Sequence, residues 1–454
     1  MKPKPPQRRP SKTKPAESRV VAPGPAQPQF VQIAKPIYGG AFLARVEGKA
    51  VFVPLTLPGE QVRVRVIEEK RGYSTAEAEE IVTAASQRIA PLCPHFGVCG
   101  GCHYQHANYE AQLSFKQAIL RETMLRAGVQ PPDDIAVLAA DPWHYRNRIR
   151  LAFDAAGNLG YRGRRSHAVV PISQCPIAAP LLIKAAAAVA EIARPFIPAF
   201  RPTELTLFCD APETALLASF FTASLPKVRF DSLAEALRER IPLLTGAEFV
   251  VEGHPGEPVP AQPPRTIAQW GATSLAYRAA GFDYRVDHGA FFQVNRRLLD
   301  PLVECVAAGR QGALAWDLFA GVGLFARRLT ASFERVVAVE SAAASIAALE
   351  HNLWGTTGNA VSGETLPFLR RRRAMESPDL IVVDPPRTGL GPEITTLLAA
   401  IAAPSLVYVS CDPSTLARDL RDLMDSAYTI HSITLADLFP QTFHLETLVH
   451  LRRA

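Results

Sequence analysis

From about residue 290 the chain alternates short apolar runs with segments of helical length, and this alternation constrains the fold more than any other feature. The apolar runs span residues 313–319, 335–340, 380–384 and 405–410, with predicted helices over 325–332 and 341–353. Continuous apolar runs of this length are typical of parallel strands buried on both faces. The pattern predicts a doubly wound α/β sheet, whose ligands bind beyond the carboxyl ends of the strands.

The first of these strands runs into a glycine-containing turn. The sequence there is Asp317-Leu-Phe-Ala-Gly321-Val-Gly323, and the next strand ends at Glu340. Glycines let a ligand approach the backbone, and an acid at the end of the second strand suits a hydrogen bond to ribose hydroxyls. The third glycine of the dinucleotide fingerprint is missing. The turn therefore predicts a nucleoside cofactor and favours S-adenosylmethionine over NAD, with a purely structural turn as the alternative.

Two further strands end in residues that carry chemistry. Asp384 opens the rigid turn Asp-Pro-Pro-Arg387, which suits contact with the edge of a planar base, and Cys411 follows the strand 405–410 directly. Most free cysteines are buried and inert, but a thiolate at this edge is a nucleophile. Addition of a thiolate to C6 of uracil makes C5 electron-rich, as covalent catalysis of substitution at C5 requires.

A proton acceptor is expected close to the C-terminus. Once C5 carries a new substituent, its hydrogen must leave as a proton, and a carboxylate is a suitable base. The segment Phe439–Thr447 offers His444 and Glu446 ahead of the apolar run 448–451. Either side chain suits the role, and a solvated glutamate before a strand is the alternative.

Three of the seven cysteines stand close together, at Cys93, Cys99 and Cys102. An odd count with one tight cluster favours a metal or cluster site over disulfides. Cys175, which precedes a proline, is the best candidate for a fourth ligand, with His95 and His103 as alternatives. Four sulfurs suit either zinc or an iron–sulfur cluster, and the spacing does not decide between them.

The sequence predicts four parts along the chain. Residues 1–28 carry seven Lys or Arg, one acid and eight prolines, which predicts a disordered basic tail, and the remaining chain is neutral with 42 basic and 42 acidic residues. Residues 29–86 read as short strands with turns, which indicates a small OB-like barrel of structural or oligonucleotide-binding function. Residues 87–285 form a predicted α+β central domain with the cysteines, and 286–454 form the doubly wound domain.

A basic stretch with interleaved tyrosines lies in the central domain. Its arginines are Arg146, Arg148, Arg150, Arg162, Arg164 and Arg165. Arginine beside aromatic residues is typical of phosphate contact and base stacking. A solvated strand face is the alternative.

Taken together, these segments resemble the RNA uracil-C5 methyltransferases, specifically the bacterial branch that modifies 23S ribosomal RNA. The resemblance runs from about residue 32 to residue 451. It rests on Leu57-Pro-Gly-Glu60, on Cys93…Cys99-Gly-Gly-Cys102, on Phe291-Phe-Gln293-Val-Asn295, and on Ser410-Cys411-Asp412-Pro413 with His444-Leu-Glu446-Thr447. The last two motifs at this separation are highly specific. Asp412 and Leu324 depart from the residues common in the family, and Leu324 removes one expected polar contact to the cofactor.

The resemblance implies roles for individual residues. It implies an N-terminal TRAM domain, Cys411 as the nucleophile and Glu446 as the base. It implies S-adenosylmethionine contacts from Gln293, Phe319, Gly321, Glu340 and Asp384. It implies a [4Fe–4S] cluster on Cys93, Cys99, Cys102 and Cys175.

The expected protein is therefore a monomeric cytoplasmic enzyme that binds single-stranded or unfolded RNA, and neither DNA nor a membrane. No long uncharged apolar run and no secretory signal are seen. Because relatives that methylate tRNA usually lack both barrel and cluster, 23S RNA is the favoured substrate. The alternatives are the same chemistry on tRNA, or a catalytically silent RNA-binding assembly factor. An intact Cys411 and Glu446 argue against the silent factor.

Overall fold

A computed structural model describes residues 29–223, 230–252, 264–373, 375–426 and 428–453. The predicted basic tail at 1–28 lies outside the described residues. Five strands at the N-terminus close into a barrel in the order β1-β2-β3-β5-β4. They are β1 (Gln29–Pro36), β2 (Ala41–Val46), β3 (Lys49–Pro54), β4 (Gln61–Glu69) and β5 (Tyr73–Thr83). Strands β2 and β3 form a hairpin, in which Phe42 is paired with Val53.

The barrel is closed at one end by the turn before β4 and by the chain that follows β5. Glu60 is fully buried, and both of its carboxylate oxygens accept hydrogen bonds from Arg88, at 2.5 and 2.8 Å. Its Oε2 also accepts from the backbone N–H of Leu57. A buried carboxylate needs partners of this kind. The Leu-Pro-Gly-Glu turn therefore joins the barrel to the start of residues 87–108, which contain Cys93, Cys99 and Cys102 and are called the cysteine segment below.

A helix and a seven-stranded sheet form the middle of the chain. Helix α1 (Tyr109–Arg126) is capped at its N-terminus by Asn108, whose side chain accepts from the backbone N–H of Ala111. The sheet has the order β13-β12-β11-β10-β7-β8-β9. Its strands are β7 (Arg148–Phe153), β8 (Leu159–Arg162), β9 (Val169–Pro171), β10 (Pro202–Cys209), β11 (Leu216–Thr222), β12 (Leu244–Val251) and β13 (Arg265–Gly271).

One face of this sheet is covered and the other is turned toward the remaining domains. The covered face packs against α2 (Pro180–Ala193) and α4 (Phe230–Arg240) through a cluster of buried aliphatic and aromatic side chains. Two short helical segments, Arg194–Phe196 and α3 (Ile197–Phe200), lead from α2 into β10. The opposite face carries polar and charged side chains of β7, β10, β11 and β12, because side chains alternate along a strand.

The C-terminal domain is the predicted doubly wound fold. Its eight-stranded sheet has the order β18-β17-β16-β19-β20-β22-β21-β6, and the first five of these strands are parallel. The strands are β16 (Gly312–Leu318), β17 (Phe333–Glu340), β18 (Gly358–Ser362), β19 (Leu380–Val383), β20 (Ser405–Ser410), β21 (Tyr428–Ala436) and β22 (Glu446–Arg453). Helices cover both faces: α5 (Leu299–Ala307), α6 (Leu324–Leu329), α7 (Ala343–Leu353), α8 (Thr365–Arg372), α9 (Gly391–Ile401) and α10 (Pro413–Met424).

The edge strand of this sheet comes from an unexpected part of the chain. Strand β6 (Ala136–Leu138) precedes the central sheet in sequence, yet it pairs in parallel with β21. The hairpin of β14 (Ser274–Ala279) and β15 (Phe282–Asp287) packs on the other side of the domain, against α7. The eight-stranded sheet is therefore completed by a segment that the sequence pattern assigns to the central domain. Among the described residues, no helix is both long enough and apolar enough to span a membrane.

Candidate active site and cysteine pocket

The glycine turn after β16 has the backbone shape that a close ligand requires. Phe319, Gly321 and Gly323 all have positive φ, at 67°, 57° and 86°. A Cβ on Gly323 would lie 2.7 Å from Leu349, so only glycine fits there. Fully buried Asp317 holds the start of α6, since its Oδ2 accepts from the backbone N–H of Ala326 at 2.8 Å. This turn is rigid and open on its outer side.

Most of the residues expected to contact S-adenosylmethionine lie together at this turn. One pocket is lined by Gln293, Phe319, Gly321 and Asp384, with Phe291 exposed at its rim. Glu340 reaches the same turn, because its Oε2 accepts from the backbone N–H of Gly321 at 2.7 Å. Its other oxygen accepts from two backbone N–H groups at the start of the following loop. The five sequence-predicted positions therefore converge on one side of the sheet edge.

Cys411 and Glu446 are brought together by strand register. Strand β20 pairs antiparallel with β22, and Ser410 is opposite Thr447. Cys411 directly follows β20, and Glu446 is the first residue of β22. Extension of the register by one residue places the two opposite each other, and side chains that face each other across such a pair lie about 5 Å apart at Cβ. The candidate nucleophile and the candidate base are therefore close in space although they are 35 positions apart in sequence.

The pKa values at this edge of the sheet are set by burial and by the proximity of three groups, the Cys411 thiol and the carboxyl groups of Glu446 and Asp384. Burial raises the pKa of the Cys411 thiol to about 11, and Glu446 and Asp384 act in the same direction, while Arg387 opposes them. Burial also raises the pKa of Glu446 well above its ordinary value, with Asp384 adding to the shift. The positive charge of Arg387 opposes the rise in pKa of both Cys411 and Glu446. The site therefore holds a weakly acidic thiol beside a carboxyl group that binds protons readily.

The loop ahead of β22, residues 437–445, is held by groups from two other segments. Lys116 on α1 donates to the carbonyl of Phe439 at 3.0 Å and to Asp437 at 2.5 Å. The side chain of Gln112 forms two hydrogen bonds with Gln441, and the backbone N–H groups of residues 103 and 104 donate to the Gln441 carbonyl. This loop leads directly to Glu446. The cysteine segment, remote in sequence, is thus in contact with the chain that carries the candidate base.

An aromatic junction joins the barrel to the same place. Phe443 packs edge-on against Tyr38, with ring centroids 5.6 Å apart, and against His103 at 4.6 Å. The His444 ring packs at a tilt against Phe443, with centroids 4.3 Å apart, and its Nδ1 lies 3.5 Å from Arg387. Burial, together with Arg387, lowers the pKa of His444 to about 3, so this imidazole is neutral. The barrel and the cysteine segment therefore both reach the rim of the active site.

Sequence reasoning missed several of these residues. Tyr38 hydrogen-bonds Asp412, next to Cys411, and burial followed by that carboxylate raises its pKa. Arg387 was visible in the Asp-Pro-Pro-Arg turn, and its charge beside two carboxyl candidates is a signal that could have assigned it a role. Nothing in the local sequence marks Tyr38 or Lys116, because both reach the site only through packing between domains.

The four cysteines predicted as ligands line a single small pocket. Cys93, Cys99, Cys102 and Cys175 share it with Gln105, Arg146 and Tyr161. The backbone N–H of Gly101 lies 3.4 Å from the Cys99 sulfur. Burial and the neighbouring thiols raise the pKa of Cys102 to about 12. The Nε2 of Gln105 and the Nε of Arg146 are buried without a hydrogen-bond partner among the described residues.

These cysteines do not converge tightly. Across the described part of the chain, no group of three or more His, Cys, Asp or Glu side chains meets the geometry of a site for one metal ion. His95 lines the pocket, but its Nε2 accepts from the backbone N–H of Ser173 at 3.2 Å. His103 contacts Phe443 and is absent from the pocket lining. The two alternative histidine ligands are therefore already engaged elsewhere.

The basic stretch contains both enclosed and exposed side chains. Tyr145 is fully buried, and Arg146 is enclosed beside the cysteines. Arg148 is partly buried; it donates to the Ala290 carbonyl at 2.6 Å and covers the ring of Phe208. Arg150, Arg162 and Arg165 are exposed. Phosphate contact by the basic stretch therefore stays a prediction, which rests on its exposed arginines.

Two family models match the chain. Residues 28–78 match the TRAM domain, and residues 375–454 match tRNA (Uracil-5-)-methyltransferase. The first match coincides with the five-stranded barrel, and the second covers β19 to β22 with Asp384, Cys411 and Glu446. The barrel is therefore a TRAM domain.

Similar proteins extend the likeness to nearly the whole chain. An RNA methyltransferase of Streptomyces avermitilis is 33% identical, covering 93% of this chain and 98% of its own. The 23S rRNA (uracil(1939)-C(5))-methyltransferase RlmD of Halomonas elongata is 31% identical, covering 91% and 87%. The solved structure of Pyrococcus abyssi tRNA (uracil-54, C5)-methyltransferase with S-adenosyl-L-homocysteine shares the fold, with a TM-score of 0.73 at 24% identity, covering 93% of this chain and all of that one. With an identity above 30% over most of both chains, and with the catalytic sheet edge matched by the family model, this chain belongs to the RNA uracil-5-methyltransferases.

Proposed function

We propose that this chain transfers a methyl group from S-adenosylmethionine to C5 of a uridine in 23S ribosomal RNA, with Cys411 as a covalent nucleophile. The observation that supports this most is the register of β20 and β22, which makes Cys411 and Glu446 neighbours beside the pocket at the glycine turn. The choice of 23S ribosomal RNA as the substrate rests on the names of relatives such as RlmD of Halomonas elongata, a 23S rRNA (uracil(1939)-C(5))-methyltransferase.

The chemistry balances with the groups at this edge. The Cys411 thiolate adds to C6 of uracil, and the electron pair moves to C5, which then bonds to the methyl group as S-adenosylhomocysteine leaves. Glu446 takes the C5 proton, the C5–C6 double bond re-forms, and the sulfur departs as thiolate. Burial raises the proton affinity of Glu446, which suits a general base. Arg387 is the cation that opposes the rise of the thiol pKa.

The pocket at the glycine turn after β16 suits the methyl donor, S-adenosylmethionine. The open turn with positive φ at Gly321 lets a nucleoside lie against the backbone, and Phe319 and Gln293 flank it. Glu340 stands where the ribose hydroxyls are expected in a doubly wound fold. Asp384 lies between this pocket and Cys411, so it can touch both the donor and the uracil edge.

We also propose that the cysteine pocket holds a [4Fe–4S] cluster on Cys93, Cys99, Cys102 and Cys175. In a cubane each thiolate binds a different iron, so the four sulfurs stand farther apart than around one ion. Four cysteines that line one pocket supply the four thiolates that a cubane requires. The unpartnered donors of Gln105 and Arg146 supply hydrogen bonds and positive charge toward bound sulfur. Such a group supplies a covalent cross-link between distant segments when bound.

Covalent capture tests the nucleophile. RNA with 5-fluorouridine at the target should form an adduct that survives denaturation, because fluorine cannot leave as a proton. Cys411→Ala should form none, whereas Cys305→Ala, a half-buried cysteine on α5, serves as the matched control and should behave like wild type. An adduct in Cys411→Ala places the nucleophile elsewhere.

Substitution of the base separates the two candidates. Glu446→Gln should transfer the methyl group to ordinary uridine and then stall as an adduct, while His444→Ala should turn over without an accumulated adduct. Normal turnover by Glu446→Gln assigns proton removal to another group.

Two measurements test the substrate and the cluster. Labelled S-adenosylmethionine offered with undermodified 23S RNA and with undermodified tRNA should label the 23S pool; labelling of the tRNA pool alone overturns the substrate. Anaerobically purified protein should contain about four irons per chain, and Cys175→Ala should contain fewer. One zinc without iron contradicts the cluster.

A further inference from the structure

A large cavity lies where the barrel, the cysteine segment and the central sheet meet. Its volume is about 560 Å³, within the range of roughly 300–1,000 Å³ that small-ligand sites occupy. It is separate from the pocket at the glycine turn, with which it shares no lining residue. The reaction proposed above does not use it.

Glycines form much of its wall. Gly39 and Gly40 come from the barrel, Gly100 and Gly101 from the cysteine segment, and Gly163 from the turn after β8. At two of these positions a side chain would be crowded by the wall: a Cβ on Gly40 would lie 2.9 Å from the His103 ring, and one on Gly100 would lie 3.1 Å from a backbone oxygen. The cavity is therefore kept open on sides where three segments present bare backbone.

The charge inside the cavity is unevenly compensated. Arg150 is paired with Glu204 and Glu252, and Arg162 is paired with Glu204. Arg164 and Arg165 also line the cavity, and in the described ranges neither has a carboxylate within the 4.0 Å that defines an ion pair. Two cations are thus left available for an anionic ligand.

The turn that carries these two arginines is well positioned. The backbone N–H of Arg164 donates to the carbonyl of Val98 at 2.8 Å, which ties the turn to the cysteine segment. Arg165 has a φ of 53°, a conformation that side chains other than glycine seldom adopt. The guanidinium groups are therefore displayed from a turn of defined shape, beside the glycine wall.

The cavity opens next to the active site. His103 belongs to its wall and packs on Phe443, which in turn packs on His444. One aromatic side chain therefore separates this cavity from the rim where the target uridine is proposed to enter.

We propose that this cavity binds the nucleotide that adjoins the target uridine in the RNA strand. Its phosphate lies on Arg164 and Arg165, and its sugar and base lie against His103 and the glycine wall. A target base must be unstacked from its neighbours to reach Cys411, so the adjoining nucleotide loses its stacking partner and gains from a surface of its own. The inference rests on the proposed function, because it concerns the same RNA substrate.

The test compares single-stranded oligonucleotides that end at the target uridine with oligonucleotides extended by one nucleotide on either side. Wild type should bind one of the extended forms more tightly than the truncated form. Arg164→Ala/Arg165→Ala should lose most of that difference, and its salt slope of log affinity should fall in magnitude by about 0.7, as expected for the loss of one phosphate contact to a single strand. Arg164→Lys/Arg165→Lys should restore the slope in part.

The control is Arg278→Ala, an exposed arginine on the hairpin of β14 and β15 that is paired with Asp283. It should leave both measurements unchanged. If wild type gains from extension and the double alanine variant gains equally, the cavity does not hold the adjoining nucleotide. If wild type binds and gains as expected but methylates no 23S segment, the proposed function fails while the assignment of the cavity stands.

Discussion

The buried ion pair between Lys116 and Asp437 offers a quantitative test of how the loop before β22 is held. Both side chains are fully shielded from solvent, and their charged atoms lie 2.5 Å apart. Tyr109 donates a further hydrogen bond to the same carboxylate at 2.8 Å. Lys116→Met keeps the apolar stem of the side chain and removes only the charge and its hydrogen bonds.

The expected loss in the free energy of unfolding depends on the buried charge of Asp437 that Lys116→Met leaves without a partner. Removing one member of a buried pair leaves the other charge uncompensated, which destabilises a protein by about 3–5 kcal/mol. The chain contains a matched comparison that involves the same helix, since Lys35 pairs with Glu122 at 2.6 Å with both side chains about one third exposed. A solvent-exposed pair contributes about 0.2–1 kcal/mol, so Lys35→Met should change little.

Urea unfolding measures the difference. The midpoint should fall strongly for Lys116→Met, slightly for Lys35→Met, and less for Lys116→Met/Asp437→Asn than for Lys116→Met alone, because the double variant leaves no buried charge. Because Lys116 also holds the Phe439 carbonyl, kcat should fall more than KM rises. Equal midpoints for Lys116→Met and Lys35→Met would refute the reasoning that burial makes this pair matter.

Three further predictions concern charge at the two sites. Arg387→Met should move the pH dependence of Cys411 alkylation to higher pH, because it removes the cation that opposes the effect of burial on a thiol whose pKa is about 11; an unmoved profile contradicts this. Burial raises the folded-state pKa of Asp317 to about 8, so its contribution to stability is present below about pH 4 and is lost as pH rises toward 8; Asp317→Asn should flatten the fall in urea midpoint over that range, and a dependence as steep as wild type contradicts it. Arg146→Ala should lower iron per chain and leave the salt slope of RNA binding unchanged, whereas a reduced slope with full iron would return this residue to the RNA surface.

Much of the fold was predictable because its signals are local. The two-residue alternation of the N-terminal strands and the apolar runs after residue 290 each specify how a segment buries its own side chains. In a parallel sheet, strand ends meet at one edge, so the strand pattern alone is enough to group Glu340, Asp384 and Cys411. The predicted strand Ser405–Ser410 agrees with the observed one residue for residue.

Contacts between distant segments were not predictable in the same way. Strand β6 joins the eight-stranded sheet of the C-terminal domain although it precedes the central sheet in sequence. This pairing could not be predicted, because a strand of three residues carries almost no periodic signal. The arginines illustrate the limit most clearly. Arg146 and Arg164 look alike in the sequence, yet one is enclosed beside the cysteines and the other faces an open cavity.

The sequence by itself determined which chemical groups are present and on which kind of element each one stands. The composition, the strand periods and the motifs around Cys411 and Glu446 are sufficient for the family and the fold, because strand-end positions in a doubly wound sheet are dictated by topology. The tertiary structure alone decided which groups meet. Tyr38 from the barrel, His103 from the cysteine segment and Lys116 from α1 reach the catalytic edge only because the domains pack against one another, and no local pattern records a contact that depends on burial shared between separate parts of the chain.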